Sequence, residues 1–490
     1  MSAWLQNNGI PFEGSLEAQW LTADSREVRP RSIFVALAGQ REDGRRYVAD
    51  AVDQGAVLVI AEHEVDASVP TLVLPDLRAR LAQLAATFHD RPSDAMQVAA
   101  VTGTNGKTTT VSLMEGILRA AGKRTGIIGT LAYGYGDVTL PAPNTTPDAV
   151  RLQGLLAEMR THHVEAVAME VSSHALQEGR VDEVSFDVGV FTNITPEHLD
   201  YHADMESYFA AKSILFERLL PASSKAARAV INTDDDFGRR LAQSLTVPTW
   251  TVGVADADFV IRRPRLHAAF SDVEVDSPYG HHHLTCAMAG MHNVYNAVES
   301  FAAVLALGVD PETAAEALAS FQGVPGRLEH FEKNDVHVYV DYAHSEDALH
   351  NVLASLRRFA GARLITVFGC GGDRDRTKRP RMGHVAARNS DVVVLTSDNP
   401  RSEDPLAILD EIAPGVRDAG MQAFDGESGY HMEVDRRKAI RHAVAMARPG
   451  DFVLVAGKGH EDYQIVGRQR LPFDDRREVE AALQGMEGAS

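Results

Sequence analysis

Cysteine is nearly absent: Cys286 and Cys370 are the only two in 490 residues. Two thiols cannot staple a chain of this length, so a disulfide scaffold is excluded and a reducing cytoplasm is the expected compartment. Long apolar runs are missing too. No stretch approaches the ~18–20 consecutive apolar residues of a membrane span, and Met1–Asn8 lacks the basic start and apolar core of a signal peptide. Positive charge is in deficit, with 48 Lys+Arg against 68 Asp+Glu and a formal net charge of −20. That balance argues against a chain that coats nucleic acid or an anionic membrane, so neither is expected as a partner. It leaves room for a small basic pocket inside an acidic shell. The remainder, 44% hydrophobic and 24% charged, is the composition of a folded globular chain.

At roughly 150 residues per domain, the length suggests about three domains. In the first, Ser32-Ile-Phe-Val-Ala and Ala56-Val-Leu-Val-Ile-Ala read as buried strands, and Leu77–His89 has helical spacing. Asp90-Arg-Pro-Ser-Asp breaks that helix and sets a boundary near residue 94. Strands then alternate with helices: Gln97–Thr102, a helix over Thr108–Ala121, and further strands at 125–129, 165–170, 187–192 and 228–232. Residues 256–287 read as shorter, antiparallel strands, and Asn293–Leu307 as a helix. Gly323-Val-Pro-Gly-Arg-Leu is a turn-rich junction, after which the alternation restarts with strands at 336–341, 364–369, 391–396 and 451–456. The expectation is an α/β protein with domains at 1–94, 95–326 and 327–490. The first is a smaller α/β unit, the second a mostly parallel P-loop-type sheet with helices on both faces, the third a Rossmann-like doubly wound unit.

Gly103-Thr-Asn-Gly-Lys-Thr-Thr109 lies between a strand and a helix. Glycines there let backbone N–H groups turn towards an anion, and the helix N-terminus adds its positive dipole. Lys107 is placed to reach terminal phosphates, and Thr108 to offer its hydroxyl to magnesium. The spacing is shorter than the usual G-x-x-x-x-G-K-[ST], but a buried strand before it and a helix after it supply the context. No Asn-Lys-x-Asp guanine signature occurs, which favours adenine. Two later strands end in polar residues: Glu170 leads into Val-Ser-Ser-His174, and Thr192-Asn-Ile-Thr-Pro-Glu-His198-Leu-Asp-Tyr-His202 follows a valine-rich run. Ligands of an open α/β sheet bind beyond the carboxyl ends of its strands, so Glu170 and His198 share a rim with Lys107 and suit a hard cation. His281-His-His283 looks metal-like by composition but sits beside a Tyr-Gly turn and reads as an exposed hairpin.

Thr102-Gly-Thr-Asn-Gly-Lys-Thr-Thr109, Glu170-Val-Ser-Ser-His, His198-Leu-Asp-Tyr-His and Tyr208-Phe-Ala-Ala-Lys212 together resemble the Mur ligases, from Asp24-Ser-Arg near one end to Gly457-Lys-Gly-His-Glu-Asp-Tyr near the other. Those enzymes use ATP to join amino acids to peptidoglycan precursors. The resemblance implies a carbon–nitrogen ligase in three parts: a UDP-sugar-binding domain, an ATP-binding domain and an amino-acid-binding domain. It implies ATP as co-substrate and Mg2+ as cofactor, with a monomer expected. Lys212 matches the lysine that family members carry as a carbamate bridging magnesium, although on its own it would read as a helix-surface lysine. Lys107, Lys212 and His198 match catalytic positions; Thr108, Glu170, His198 and Lys212 match metal or phosphate positions. The loop residues Gly103, Thr104, Asn105, Gly106, Thr108 and Thr109, with His292, Asn293, Asn296, Arg327 and Asp341, match the nucleotide site.

For the nucleotide-sugar substrate, UDP-N-acetylmuramoyl-L-Ala-D-Glu, Ser25, Gln40, Arg41 and Glu42 match the uridine-diphosphate end. Asn144, Thr145, Thr146, Ser172 and Arg180 match contacts further along it. One departure stands out: Glu178 occupies a position where the family often has Gln, next to Gln177. The acceptor pocket is implied by Arg374, Asp398-Asn399-Pro400-Arg401, Gly457 and Glu461. Two arginines at neighbouring strand ends suit carboxylates and Glu461 suits an ammonium, which fits meso-diaminopimelate better than lysine. The implied reaction is acyl activation by ATP, then aminolysis at the D-Glu γ-carboxylate. A folylpolyglutamate-type ligase shares the activation step but has no use for the 144–146 or 398–401 segments. A nucleotide-driven switch ATPase explains Lys107 but not Arg374, Arg401 and Glu461.

Overall fold

The structure, a computed structural model, describes residues 2–10, 17–39, 43–197 and 201–486. Three large sheets succeed one another along the chain, and a two-stranded hairpin, Tyr463–Val466 with Gln469–Pro472, follows the last strand of the third. The first has four parallel strands in sequence order, Trp20–Thr22, Ser32–Ala36, Ala56–Ala61 and Thr71–Val73. Its two middle strands are the continuous apolar runs, almost wholly buried, as a parallel sheet covered on both faces requires. The helix Leu77–Phe88 follows.

The second sheet has eleven strands. Its central part is parallel, with Gln97–Thr102 between Val188–Phe191 and Ala166–Glu170. Arg228–Asn232 and Thr249–Gly253 extend it on one side and Thr125–Ile128 on the other. The stretch expected to be antiparallel is mixed: Phe259–Leu266 joins Thr249–Gly253 in parallel, and Ser271–Ser277 and Gly280–Cys286 then turn antiparallel. A short hairpin, Tyr133–Tyr135 with Val138–Leu140, closes the opposite edge. Helix Lys107–Ala120 packs its Val111, Met114, Ile117 and Leu118 against one face of this sheet, together with helix Met291–Ala306. Helix Ala149–Thr161 covers the other face.

The third sheet orders its strands as Glu329–Lys333, Val336–Asp341, Phe452–Ala456, Leu364–Phe368, Val392–Leu395 and Gly429–Met432, all parallel except the first. Helices cover both of its faces. An alternating sequence built from buried Val/Ile/Leu runs has no other stable arrangement, and it sends the polar strand ends of each sheet to one rim. No described helix is long and apolar enough to cross a membrane.

Candidate active site

The phosphate loop is held from outside. Asn193 accepts the N–H of Thr104 on its backbone carbonyl at 2.8 Å and that of Asn105 on its side chain at 3.0 Å. Thr192 Oγ1 donates to the Asn105 carbonyl at 2.6 Å. Gly103 lies so close to this support that a Cβ would meet Thr192 Oγ1 at 1.9 Å. Gly106, at φ 88° immediately before the helix, takes a left-handed turn that other residues resist. The loop is thus fixed by a neighbouring strand end, which is preorganisation for an anion rather than a mobile turn.

Two amines converge on one carbonyl. Lys107 Nζ donates to Gly103 O at 2.9 Å and Thr104 O at 2.7 Å, and Lys212 Nζ donates to the same Gly103 O at 2.7 Å. Lys212 is 1% exposed, so the helix-surface reading is overturned. Its helix, Met205–Ile214, turns Tyr208, Ala211 and Lys212 inward together. Desolvation, and then the charge of Lys107, pushes the Lys212 amine well below its ordinary range against the pull of Glu197. Lys107 is lowered too, by desolvation first, with Glu197 and Glu170 opposing. Glu170, 1% exposed, accepts the N–H of Thr130 at 2.8 Å and its hydroxyl at 3.1 Å. Carboxylate, hydroxyl and an amine of lowered basicity therefore lie around the loop. Oxygen donors of this kind fit a hard cation, and of the metal positions expected from sequence Thr108 and Glu170 are described and offer them.

The third unit closes one side of the loop. Arg327 NH2 donates to Thr108 Oγ1 at 3.1 Å, and Asp347 Oδ2 accepts from Asn105 Nδ2 at 3.0 Å and Thr195 Oγ1 at 3.1 Å. Between the two units lies a cavity of about 490 Å³, lined by Asn105, Gly106, Thr109, His292, Asn293, Asn296, Arg327 and Asp341 among others. Eight of the nucleotide-site residues expected from sequence thus face one space. Arg327 Nε is buried without a hydrogen-bond partner, an orphan donor that an anionic ligand would satisfy. The Asp341 carboxylate accepts the N–H groups of Leu328 and Ala343 at 2.7 and 2.8 Å, and burial raises it despite Arg327. Desolvation holds His292 down to about 4, so it faces the cavity neutral.

Beneath the cavity, Glu299 is 0% exposed and takes a hydrogen bond from Asn232 Nδ2 at 3.3 Å. Burial pushes its carboxyl up from an ordinary 4.5 to about 8. Between those values the unfolded chain sheds a proton that the folded chain keeps, so stability falls as pH rises. Glu299→Gln has no such proton to lose. Its Tm should gain on wild type steadily from about pH 5 to about pH 8 and then level off; parallel Tm curves for the two proteins would contradict the assignment.

A second group forms beside Glu170. Thr146 Oγ1 donates to Glu170 O at 2.9 Å and accepts the N–H of Ser172 at 3.1 Å, while Arg180 NH1 donates to Thr146 O at 3.1 Å. Thr145 shares a 3.1 Å hydroxyl contact with Thr130, and Tyr133 OH donates to the Asn144 carbonyl at 2.5 Å. Glu178 pairs with Arg180 at 2.6 Å, and both it and Gln177 are exposed. Ser25 begins a 3-10 turn capped by Asp24 in the first unit. Gln40, Arg41, Glu42 and His198 lie outside the described residues.

The third group sits at the strand ends of the last sheet. Arg401, at φ 52°, donates from NH1 to Gly372 O at 2.7 Å, and its backbone is clamped by Ile465 and Gly467. Exposed Arg374 lies across Gly371, whose position is within contact of both arginines. Asp398, Asn399 and Glu461 surround Lys458, which is 0% exposed. Gly457 N donates to Asp341 O at 3.0 Å, tying this group to the cavity. Lys458, Glu197 and Asp347 were not singled out from sequence. Lys458 carried the clearest signal, a lysine between glycines directly after a buried strand.

Three family models match the chain: "Mur ligase family, catalytic domain" over residues 17–89, "Mur ligase middle domain" over 101–304 and "Mur ligase, glutamate ligase domain" over 326–459. The UDP-N-acetylmuramoyl-L-alanyl-D-glutamate–2,6-diaminopimelate ligase of Geobacter metallireducens is 44% identical over 484 residues, covering 96% of this chain and 94% of its own. The enzyme of the same name from Streptomyces coelicolor is 45% identical over 486 residues, covering 97% and 94%. A solved structure bearing that name aligns over 99% of both chains with a TM-score of 0.69 and 32% identity.

Proposed function

The chain belongs to the Mur ligase family, and on that premise we propose that it adds meso-2,6-diaminopimelate to the γ-carboxylate of D-Glu in UDP-N-acetylmuramoyl-L-Ala-D-Glu. The observation that carries this reading is one cavity lined jointly by the phosphate loop, Arg327 and Asp341, with Gly457 bonded to Asp341 O and lying next to Asp398. The γ-carboxylate attacks the γ-phosphorus of ATP, ADP leaves, and an acyl phosphate forms. The diaminopimelate amine then attacks the acyl carbon, phosphate leaves, and an amide remains after loss of a proton. Lys107 and the Arg327 Nε orphan hold the phosphoryl oxygens, where fixed cations stabilise charge most. Thr108 and Glu170, with Lys212 as a carbamate, would hold magnesium, and the ion would supply neutralisation of the phosphate charge. Thr146, Ser172 and Arg180 position the dipeptide end, and the closed cleft excludes water that would hydrolyse the acyl phosphate. Free, buried Cys286 and Cys370 suit a cytoplasmic enzyme.

The test is to supply ATP, magnesium and the UDP-muramoyl dipeptide, offer several diamino acids, and weigh the product. Diaminopimelate should be joined with matching release of ADP and phosphate. Equal rates with L-lysine would sink the specificity, and ADP release without any acceptor would make the chain a switch ATPase. Arg401→Ala should raise the diaminopimelate KM roughly 10- to 100-fold, the worth of a lost charge-assisted pair. ATP affinity should hold. A collapse confined to ATP binding would place the acceptor pocket elsewhere.

A further inference from the structure

We propose that the hairpin of Glu329–Lys333 and Val336–Asp341 carries a site for a divalent transition-metal ion of the zinc class, held by His330, Glu332 and His337. The strands pair with Glu332 opposite His337 and His330 opposite Tyr339. Side chains two apart on a strand share a face, so these four stand on the same side. His330 Nε2 and His337 Nδ1 are 3.0 Å apart, and Glu332 Oε2 is 3.7 Å from that same Nδ1. All three donor atoms lie within 4.8 Å of one another. A tetrahedral ion bound at about 2.0–2.1 Å to each nitrogen needs its ligands only slightly further apart than these two rings are. Small ring rotations suffice, and the fourth position opens to the side on which Glu332 is exposed.

The surroundings orient the ligands. The other nitrogen of His337, Nε2, faces Asp335 Oδ1 at 3.7 Å, the carboxylate–histidine arrangement that fixes a ligating ring. The His330 ring stacks on His337 and on Tyr339, at 15° and 25° between planes. Two imidazoles and one carboxylate select zinc, nickel or copper over magnesium, so the site is chemically separate from the oxygen donors at the phosphate loop.

Its place in the fold gives the ion something to do. The hairpin turn lies at Asn334 and Asp335, and the open end delivers Arg327 and Asp341 to the cleft. Tyr339 OH, on the same face, donates to Ala268 O of the central unit at 3.0 Å. An ion at the closed end therefore ties together the two strands that carry both cleft residues and the interdomain contact.

The experiment titrates Co2+ into the full chain without ATP or magnesium and reads visible d–d absorption and Tm. One equivalent with tetrahedral-type bands should bind wild type and raise its Tm. His337→Gln and Glu332→Gln should abolish the bands, and Asp335→Asn should weaken binding roughly 10-fold or more. His281→Gln with His283→Gln should leave them intact. Because Glu332 is exposed, its variant decides the matter if His337→Gln does not fold. No bands in wild type, bands unchanged in Glu332→Gln, or bands lost in the His281/His283 variant would each overturn the site.

Discussion

Replacing Lys212 by alanine should lower ligation by about three orders of magnitude, the loss expected when a fixed charge at a phosphoryl-transfer centre disappears. The argument starts from the amine. Lys212 and Lys107 both donate to the Gly103 carbonyl, and neither the cleft nor one oxygen can stabilise two ammonium groups so close together. Desolvation and Lys107 settle the contest by lowering Lys212 well below its ordinary range. A neutral amine is the form that adds CO2 with release of a proton, and a carbamate there would turn an unfavourable like-charge pair into an ion pair with Lys107. Native mass analysis of the intact chain should show one added CO2 in the wild type that is missing from Lys212→Ala. Stripping CO2 at mildly acidic pH should reduce activity, and bicarbonate should restore it. Lys212→Met, nearer in volume and still packed under the Tyr208 ring, should be as inactive as alanine, and a short carboxylic acid should partly restore the alanine variant. Wild-type turnover in either variant would remove the carbamate from the mechanism.

That residue also shows where sequence stops being legible. Tyr208, Ala211, Lys212 and Leu215 share one buried face at helical spacing, yet the sequence alone reads Lys212 as a helix-surface lysine. A charged residue there reads as a solvated face unless something buried awaits it, and the partner, Gly103 O, is 109 positions away. The buried runs at 32–36, 97–102, 166–170 and 392–395 were readable because continuous Val, Ile and Ala in short segments leave little alternative to a covered parallel strand. Thr249–Gly253 and the 133–140 hairpin were not, since both are short and mix polar with apolar residues. The glycine loop was legible because its chemistry is local. The supports of the cleft were not, because Asp347, Glu197 and Lys458 reach Asn105, Lys107 and Asp398 only through tertiary contacts.

Lys458→Met should cost about 3–5 kcal/mol, the usual penalty for removing one partner of a buried charge pair, and should abolish diaminopimelate use along with it. Lys458 Nζ donates to Asn399 Oδ1 at 2.9 Å and Tyr463 O at 2.8 Å, and it lies 3.3 Å from Asp398 and 3.4 Å from Glu461. One side chain thus aligns the 398–401 turn, the carboxylate offered to an ammonium, and the hairpin that clamps Arg401. Burial alone would raise the Asp398 carboxyl, but Lys458 and then Arg436 outweigh it and hold the group below its ordinary range. A carboxyl lowered in this way contributes stability above its unfolded pKa and loses it as pH falls through the folded value. In the variant the sign reverses. With Lys458 gone, burial dominates, the carboxyl rises, and protonation relieves the variant as pH drops. The Tm deficit of Lys458→Met should therefore be largest near neutral pH, roughly 10 °C for a unit of this size, and should shrink towards pH 4. Adding Asp398→Asn should recover most of the lost Tm but none of the activity, because the acceptor pocket stays undone. A deficit independent of pH, or one that Asp398→Asn leaves untouched, would mean that Lys458 acts through packing rather than through its charge.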